Sequence, residues 1–243
     1  ERAWWDLVRY HLQVEVDIEA RALSGVNRMQ YRVRERLDEQ TVRLMQLSGV
    51  DASDVIAARN AGRLQIDLQS PMQLVSALQQ GRSLEVEQYG SAWFRSGGDT
   101  DLGVHAVDLV FDGQPVVAAN PPWDGGITWQ EDSAGRPFVA SANQGIGASV
   151  WWPCRDHPAD EVDSMMISVE VPDNLMDVSN GRLLSVEENK EKGTKTYNWF
   201  VSEPINAYGV NINIGKYATW SEKYKGEAGN LDVTYWPLEV NKK

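Results

Sequence analysis

The sequence predicts an all-β protein, a saddle-shaped β-sandwich of about a dozen short strands. Apolar and polar residues alternate along most of the chain, which is the period of half-buried strands. Turn-forming pairs such as Asp112-Gly113 and Asn180-Gly181 separate these runs. No repeat of fixed period appears, which counts against a propeller or a solenoid.

The strands are predicted in order along the chain. In "YHLQVEVDIEA", Leu12, Val14 and Val16 share one face. The run "LSGVNRMQYRV" predicts a second strand after a turn at Gly25, with Val26, Tyr31 and Val33 as its apolar positions. Further strands are predicted at "LQIDLQ", "LEVEQYGSAWF", "VHAVDLVF", "PVVAAN", "MMISVEVP", "GRLLSVEEN", "KTYNWFVS", "YGVNINIGKYATW" and "LDVTYWPLEV".

The segment 34–62 loses this alternation and predicts a short helical insertion between two strands. Apolar or β-branched residues recur there at helical spacing: Leu37, Thr41, Leu44 and Met45. Asp51 or Ser53 is expected to cap a second short helix that Gly62 ends. The alternative is an irregular surface loop, although so long a structureless loop is uncommon in a compact domain.

Charge and composition restrict the partners of the chain. Its 243 residues carry a net charge of −12, and an acidic field repels phosphate backbones, so nucleic acid is not expected as a partner. No apolar run approaches the roughly 18 residues of a membrane helix. The sequence opens at Glu1 with no initiator Met and no signal peptide, so we interpret Glu1 as an artificial boundary or a processed end. The compartment is not determined, and export is compatible with the sequence.

Metal-binding residue types are present but poorly arranged. His11 and His105 lie inside strand patterns, and no HExxH motif exists to place two imidazoles and a general base on one zinc. The remaining candidates crowd into one Pro-containing turn: His157, Asp160, Glu161 and Asp163. We interpret that turn as a solvated acidic loop, with calcium as the alternative because hard cations take carboxylate oxygens. No metal site is predicted in this chain.

Nucleophilic and paired-acid chemistry also lack a complete set of groups. Cys154 is the single cysteine, so no internal disulfide can form, and we expect a buried, unreactive thiol. The segment "WDGGITWQEDSAG" contains three carboxylates and two tryptophans: Asp124, Glu131, Asp132, Trp123 and Trp129. The carboxylates could act as paired acids in glycoside hydrolysis, with the tryptophans stacked on a sugar. A tight hairpin anchored by tryptophan explains the same residues, and we prefer that interpretation. We therefore predict no catalytic residue.

The stretch "NQGIGASVWWPCRDHPADEVDSMMISVEVP" resembles the amino-terminal domain of zinc aminopeptidases of the aminopeptidase N family, the gluzincins. That family carries a Gln or Glu, a short gap, and then Pro-Cys-x-Asp-x-Pro. Here Gln144 precedes the motif that begins at Pro153 and contains Asp156. The resemblance continues through "YHLQVEVDIEARALSG", "LQIDLQSPMQLVSAL", "SNGRL", "YNWFVSEPINAYGVNINIGKY" and "LDVTYWPLEVNKK". The segments "PPWDGGITW", "SNGRL" and "YNWFVSEPINAYGVNINIGKY" resemble the bacterial branch of the family.

The resemblance implies that residues 1–243 form one amino-terminal β domain of a larger enzyme, with the catalytic domain absent from this chain. It implies zinc in that missing domain, where zinc-activated water would attack a peptide carbonyl. Gln144 is implied to bind the amino terminus of the peptide substrate through its amide oxygen, whereas Pro153 and Asp156 are implied to fix the loop. The alternative for Gln144 is a turn residue that binds backbone.

The departures from the family are as informative as the match. HExxH and the Gly-x-Met-Glu-Asn loop are absent, so we expect the segment to be inactive alone, with its own catalytic domain as partner. The alternative function is a free-standing peptide- or carbohydrate-binding module. A domain separated from its partner should expose a large apolar patch, whereas a free-standing module should show a small cleft with exposed tryptophans.

Overall fold

The computed structural model describes residues 2–35, 39–158, 160–227 and 229–242, which form nineteen strands and two α-helices. The strands are β1 (Trp5–Asp17), β2 (Ala22–Val33), β3 (Leu64–Asp67), β4 (Gln73–Gln79), β5 (Arg82–Ser83), β6 (Glu85–Tyr89), β7 (Ala92–Ser96), β8 (Gly103–Gly113), β9 (Gly126–Glu131), β10 (Pro137–Ala142), β11 (Glu161–Val162), β12 (Ser164–Pro172), β13 (Met176–Asp177), β14 (Arg182–Asn189), β15 (Thr194–Val201), β16 (Ile205–Asn206), β17 (Asn213–Gly215), β18 (Trp220–Gly226) and β19 (Gly229–Tyr235). The all-β prediction is confirmed, but the strands outnumber the predicted dozen because turns divide several predicted runs.

The largest sheet has eight strands in the order β14-β15-β12-β1-β2-β8-β4-β5. β1 pairs antiparallel with β2 and parallel with β12, so it lies in the middle of the sheet. Leu12, Val14 and Val16 are buried, whereas Gln13 and Glu15 between them are exposed, as the alternation predicts.

The second predicted strand needs a correction. The chain turns at residues 18–21, and Gly25 lies inside β2 rather than at the turn. A Cβ at Gly25 would lie 2.0 Å from the carbonyl oxygen of Gln13, so the close approach of β1 and β2 requires glycine there. Val26 lies opposite Gln13 on the outer face of the sheet and is half-buried.

Smaller sheets pack beside the large one. A four-stranded sheet has the order β13-β17-β10-β9, and a three-stranded sheet has the order β3-β7-β6. The predicted strand "PVVAAN" is wrong, since this segment is a loop that makes one bridge, between Val117 and Ile127. Four tryptophans are among the largest fully buried side chains of the core: Trp4, Trp5, Trp151 and Trp152.

The helical insertion is confirmed in its described part by α1 (Glu39–Ser48) and α2 (Ala52–Asn60). Asp51 caps α2 because its carboxylate accepts a hydrogen bond from the Ser53 amide at 2.8 Å. Gly62 follows with φ +57°, a conformation that favours glycine at a helix end. Leu37 lies outside the described residues. Neither helix of the described chain is long and apolar enough to span a bilayer.

Candidate functional site

Gln144 lies in the turn that leaves β10 and leads to a short 3-10 helix, Ala148–Val150. Its side chain is exposed and makes no hydrogen bond within the described part of the chain. The alternative in which Gln144 binds backbone therefore finds no contact in the structure. The amide oxygen and nitrogen are both available to a ligand.

The residue beside Gln144 anchors the turn. Asn143 is 3% exposed, and its amide nitrogen donates to the carbonyl oxygen of Val210. Its Oδ1 accepts from the indole nitrogen of Trp151 at 3.0 Å, and its own carbonyl accepts from the amide of Gly147 at 2.8 Å. Because all these partners are buried or half-buried, the backbone that carries Gln144 is held on both sides.

Asp156 of the Pro-Cys-x-Asp-x-Pro motif fixes the other end of the turn. Its Oδ2 accepts from the amide of Ser149 at 3.0 Å and from the Ser149 hydroxyl at 2.6 Å. A Cβ at Gly147 would lie 2.2 Å from that same Oδ2, and Gly147 has φ +92° and ψ 158°. The turn therefore requires glycine at 147, both for its backbone conformation and for the approach of the carboxylate.

A second layer ties the motif to β3. Asp67 and Cys154 exchange backbone hydrogen bonds of 2.8 and 3.1 Å, and the Asp67 carboxylate accepts from the amide of Asp156 at 2.9 Å. Arg2 forms an ion pair with Asp67. Gln69 donates its side-chain amide to the carbonyl of Ile146, two residues after Gln144, at 2.8 Å. These bonds stabilise the loop on which Gln144 is mounted.

Arg155 extends this support toward the core. Its guanidinium lies 4.5 Å from the ring centre of Trp5, and its Nε lies 2.6 Å from Asp160 Oδ2. Its backbone amide donates to the hydroxyl of Tyr10 at 2.8 Å. Burial raises the pKa of Asp160, and the nearby Arg155 charge opposes that rise. Asp160 thus departs from the predicted solvated loop, because its ion pair with Arg155 takes it partly out of solvent.

The candidate metal ligands do not assemble. His11 Nε2 lies 3.2 Å from the Ser168 hydroxyl on the large sheet, and His105 Nε2 lies 2.8 Å from the carbonyl oxygen of Asp101. His157 is exposed in its turn. Among the described residues, no group of three or more His, Cys, Asp or Glu side chains could hold a metal ion. The described histidines therefore lie in three separate places and do not form a zinc-binding set.

Cys154 and the paired acids have structural contacts. Cys154 is fully buried, and burial raises the pKa of its thiol well above the usual value. Asp132 forms a 2.9 Å ion pair with Arg136 and accepts two backbone amides of its turn. Asp124 accepts from the amide of Asn120 at 2.8 Å. These contacts match the hairpin interpretation.

The loop 120–126 lies beside the Gln144 turn, and the sequence did not predict this contact. Gly126 pairs with Ala142 at the end of β10, and a Cβ at Gly125 would lie 1.8 Å from Ile146 Cγ2. The loop 120–126 therefore packs on the Gln144 turn. It carries Trp123, which is 88% exposed. The pair Gly125-Gly126 was the available signal, since adjacent glycines mark close backbone approach as well as turns.

Comparisons with known proteins show which sequences and folds this chain resembles. No family model matches the chain. Over 109 residues, 45% of the chain, it is 33% identical to leucine aminopeptidase 2 of the yeast Vanderwaltozyma polyspora, and the match covers 15% of that protein. An M1 zinc metallopeptidase of Deinococcus radiodurans, solved with a Tyr-Ser-Ala substrate, superposes over 94% of this chain with a TM-score of 0.70 and 18% identity. A two-domain M1 zinc metallopeptidase bound to L-tryptophan superposes over 96% of this chain with a TM-score of 0.70 and 18% identity.

The chain has the fold of the amino-terminal domain of M1 zinc metallopeptidases. The resemblance recognised in the sequence is confirmed at the level of the fold, while assignment to the bacterial branch stays a prediction. The match covers 46% and 47% of the two solved chains, so this M1 amino-terminal fold spans about half of their length.

Proposed function

We propose that the chain is the amino-terminal, cleft-forming domain of a zinc metallo-aminopeptidase, and that Gln144 binds the free amino terminus of the peptide substrate. The observation that carries this proposal is that the Gln144 side chain is free while its backbone is held. The side-chain amide of Gln144 is exposed and makes no hydrogen bond, whereas contacts of Asn143, Gly147 and Asp156 fix the turn around it. A side chain binds a ligand more tightly when the residues around it already hold it in the binding geometry.

The chemistry of Gln144 suits an ammonium group. Its amide oxygen can accept a hydrogen bond from the positively charged amino terminus, and a bond to a charged group is worth about 1.5–3 kcal/mol. The overall charge of −12 favours a cationic ligand end in the same sense. No nucleophile or general base is assigned in this chain.

Zinc is expected in a second domain rather than here, because the described histidines lie apart. When bound there, zinc would supply the activated water for peptide hydrolysis. The residues of this chain would form one wall of the cleft and orient the substrate. By itself the 243-residue chain is expected to cleave nothing.

The first test is an activity assay of the 243-residue chain on an aminoacyl-arylamide, with and without added zinc. No turnover is expected in either condition. Turnover that co-purifies with the chain and survives Gln144→Ala would overturn the proposal.

The second test compares variants of the full-length protein. Gln144→Ala should lower kcat/KM by about 10- to 150-fold, which is the lost 1.5–3 kcal/mol expressed as a rate ratio. Gln144→Glu should keep or strengthen binding because a carboxylate adds charge assistance. Gln130→Ala, at an exposed position of β9 away from the turn, is the matched control and should leave kcat/KM unchanged. Equal losses in Gln144→Ala and Gln130→Ala would argue against a substrate contact.

A free-standing binding module is the second candidate, and one observation favours it. Trp123 is 88% exposed on the loop beside Gln144, whereas Trp129 is half-buried. An exposed indole can stack on a sugar ring or an aromatic side chain. Titration of the 243-residue chain with oligosaccharides and peptides, followed by Trp fluorescence, separates the candidates. Saturable binding that Trp123→Ala abolishes and Gln144→Ala does not affect would favour the module.

A further inference from the structure

The outer face of the large sheet carries a groove of about 660 Å³. Its lining comes from five neighbouring strands, in the order β14-β15-β12-β1-β2. Strands of one sheet lie about 4.8 Å apart, so the groove crosses about 19 Å of sheet. The volume is within the range of ligand sites in proteins. None of the described residues that line the groove belongs to the Gln144 turn.

The groove exists because most of the side chains that line it are short. The neutral polar ones are Gln13, Ser24, Ser168, Ser185, Thr196 and Asn198. The described lining contains no lysine or arginine, whose long side chains cover much of a solvated sheet face elsewhere. Short side chains leave a hollow with their polar groups at its floor.

Four strands are joined through side chains at this floor. The Asn198 amide nitrogen donates to Ser185 Oγ at 3.1 Å and to Glu187 Oε1 at 3.0 Å, which fixes the orientation of the amide. Asn198 Oδ1 therefore faces Ser168, whose hydroxyl donates to it at 2.7 Å. His11 Nε2 lies 3.2 Å from the same Ser168 oxygen. The polar groups are thus held in place before any ligand arrives.

This hydrogen-bond chain also fixes the tautomer of His11. The single hydroxyl proton of Ser168 goes to Asn198, so Ser168 accepts from His11, and Nε2 carries the imidazole proton. Nδ1 of the neutral ring is then an acceptor. Burial, together with the charges of Arg9 and Arg28, lowers the pKa of His11 and favours the neutral ring. His11 therefore brings an uncharged hydrogen-bond acceptor to the groove.

The other available groups of the groove are uncharged as well. Gln13 and Ser24 are exposed, line the groove, and form no side-chain hydrogen bond with any described residue. An amide and a hydroxyl each donate and accept hydrogen bonds. A ligand that offers hydroxyl groups can satisfy such partners, because each of its hydroxyls also donates and accepts.

The carboxylates of the groove already have partners. Glu170 accepts from the Thr194 hydroxyl at 2.9 Å and lies 3.3 Å from Lys192 Nζ. The same Lys192 nitrogen lies 3.8 Å from Glu15, and Glu187 accepts the Asn198 amide. A cationic ligand would compete with these contacts, and an anion would be repelled by the three glutamates. The groups that remain favour a neutral ligand.

Apolar side chains complete the lining. Leu184 lies at the irregular step of β14 between residues 183 and 185, and it is 58% exposed. Met166 and Val26 are half-buried and line the groove with it. A sugar ring carries hydroxyls at its edge and C–H groups on its faces, so polar and apolar contacts side by side suit such a ring.

We infer that this groove binds a neutral oligosaccharide, whose hydroxyl groups form hydrogen bonds with His11, Gln13 and Ser24. The span of five strands accommodates several linked sugar rings rather than a single one. The site is separate from the second candidate function, because Trp123 is not among the described residues that line it. It requires no second domain and no zinc, so it does not depend on the proposed function.

Titration of the 243-residue chain with three neutral hexasaccharides tests the inference: maltohexaose, cellohexaose and chitohexaose. Two-dimensional amide NMR spectra should show saturable shifts at Gln13, Ser168 and Asn198 with at least one of them. The absence of a saturable shift at these amides with all three would overturn the inference.

A pair of glutamine variants tests the contact. Gln13→Ala should weaken binding of the hexasaccharide by about 2- to 12-fold, the ratio that corresponds to one neutral hydrogen bond. Gln73→Ala is the matched control, because Gln73 is exposed on β4 of the same sheet and lies outside the groove lining. It should leave the affinity unchanged. Equal affinities of Gln13→Ala and Gln73→Ala would argue against the groove.

Two further measurements separate competing explanations. Trp123→Ala should leave hexasaccharide binding unchanged, and a loss in this variant but not in Gln13→Ala would move the sugar site to the Trp123 loop. Spermidine serves as the cationic probe. Saturable shifts at the groove amides with spermidine and with none of the hexasaccharides would overturn the choice of a neutral ligand.

The groove and the proposed peptidase role can fail separately. A full-length aminopeptidase that binds no hexasaccharide would refute the groove and leave the proposed function in place. Hexasaccharide binding in a full-length protein without aminopeptidase activity would do the reverse.

Discussion

Replacement of Gly147 by alanine tests whether the Pro-Cys-x-Asp-x-Pro motif really holds the Gln144 turn. The added Cβ would lie 2.2 Å from Asp156 Oδ2, and the backbone has φ +92° and ψ 158°. The backbone cost for a non-glycine residue in this region is about 1–3 kcal/mol. Displacement of Asp156 would also weaken its hydrogen bonds to Ser149, worth about 1.5–3 kcal/mol for a charged acceptor.

The expected loss for Gly147→Ala is therefore about 2.5–6 kcal/mol, a large part of the stability of a typical domain. Gly145→Ala is the matched control in the same turn. Gly145 has φ +89°, but a Cβ there meets nothing within 4 Å, so only a backbone cost of about 1–2 kcal/mol is expected. Urea unfolding of the 243-residue chain, followed by the fluorescence of its ten tryptophans, measures both losses.

A double-mutant cycle separates the contact from the backbone strain. If the clash with Asp156 matters, Gly147→Ala should cost about 2 kcal/mol less in an Asp156→Ala background than in the wild type. A cycle with no coupling, or equal losses in Gly147→Ala and Gly145→Ala, would refute the reasoning. The motif would then not support the turn in the way described here.

Three further outcomes are expected. Burial raises the pKa of Asp177 from 3.8 to about 8, so between those values the native state keeps a proton that the unfolded state releases. The free energy of unfolding should therefore fall as pH rises from about 4 to about 8, by up to about 1.4 kcal/mol per pH unit. Asp177→Asn should remove this pH dependence, which urea unfolding at pH 5 and pH 7 measures. An equal pH dependence in the two proteins would contradict the assignment. The thiol of Cys154 should react with a disulfide reagent only on unfolding, since it is fully buried; rapid labelling of the native chain would contradict this. Trp123→Ala should change the free energy of unfolding by less than about 0.5 kcal/mol because Trp123 is 88% exposed, and a larger loss would place its ring in the core.

Local patterns were sufficient for much of the fold. The alternation in β1 identified Leu12, Val14 and Val16 as the buried face, and local side-chain chemistry limited the cap of α2 to Asp51 or Ser53, of which the structure uses Asp51. The pattern failed at "PVVAAN", because four apolar residues in a row have no period and the tertiary contacts made this segment a loop. The turn near Gly25 was misplaced because glycine serves close strand approach as well as turns.

The candidate site was predictable only in part. The sequence motif selected Gln144 and suggested that Asp156 fixes the loop. It did not show that Gly147 makes room for the Asp156 carboxylate, that Gln69 holds Ile146, or that the Trp123 loop packs beside the turn. These contacts join residues that are distant in sequence, and a single sequence carries no record of such pairs.

The sequence by itself determined which residues share a face, because side-chain direction in a strand follows from local backbone geometry. Only the tertiary structure decided which face meets the body of the domain. In β1 the apolar face turns inward, whereas in β18–β19 it turns to solvent. Side chains alternate between two faces in both cases. The difference arises because an alternating pattern specifies only which side chains share a face, whereas the packing of the strands on the rest of the domain decides which face is covered.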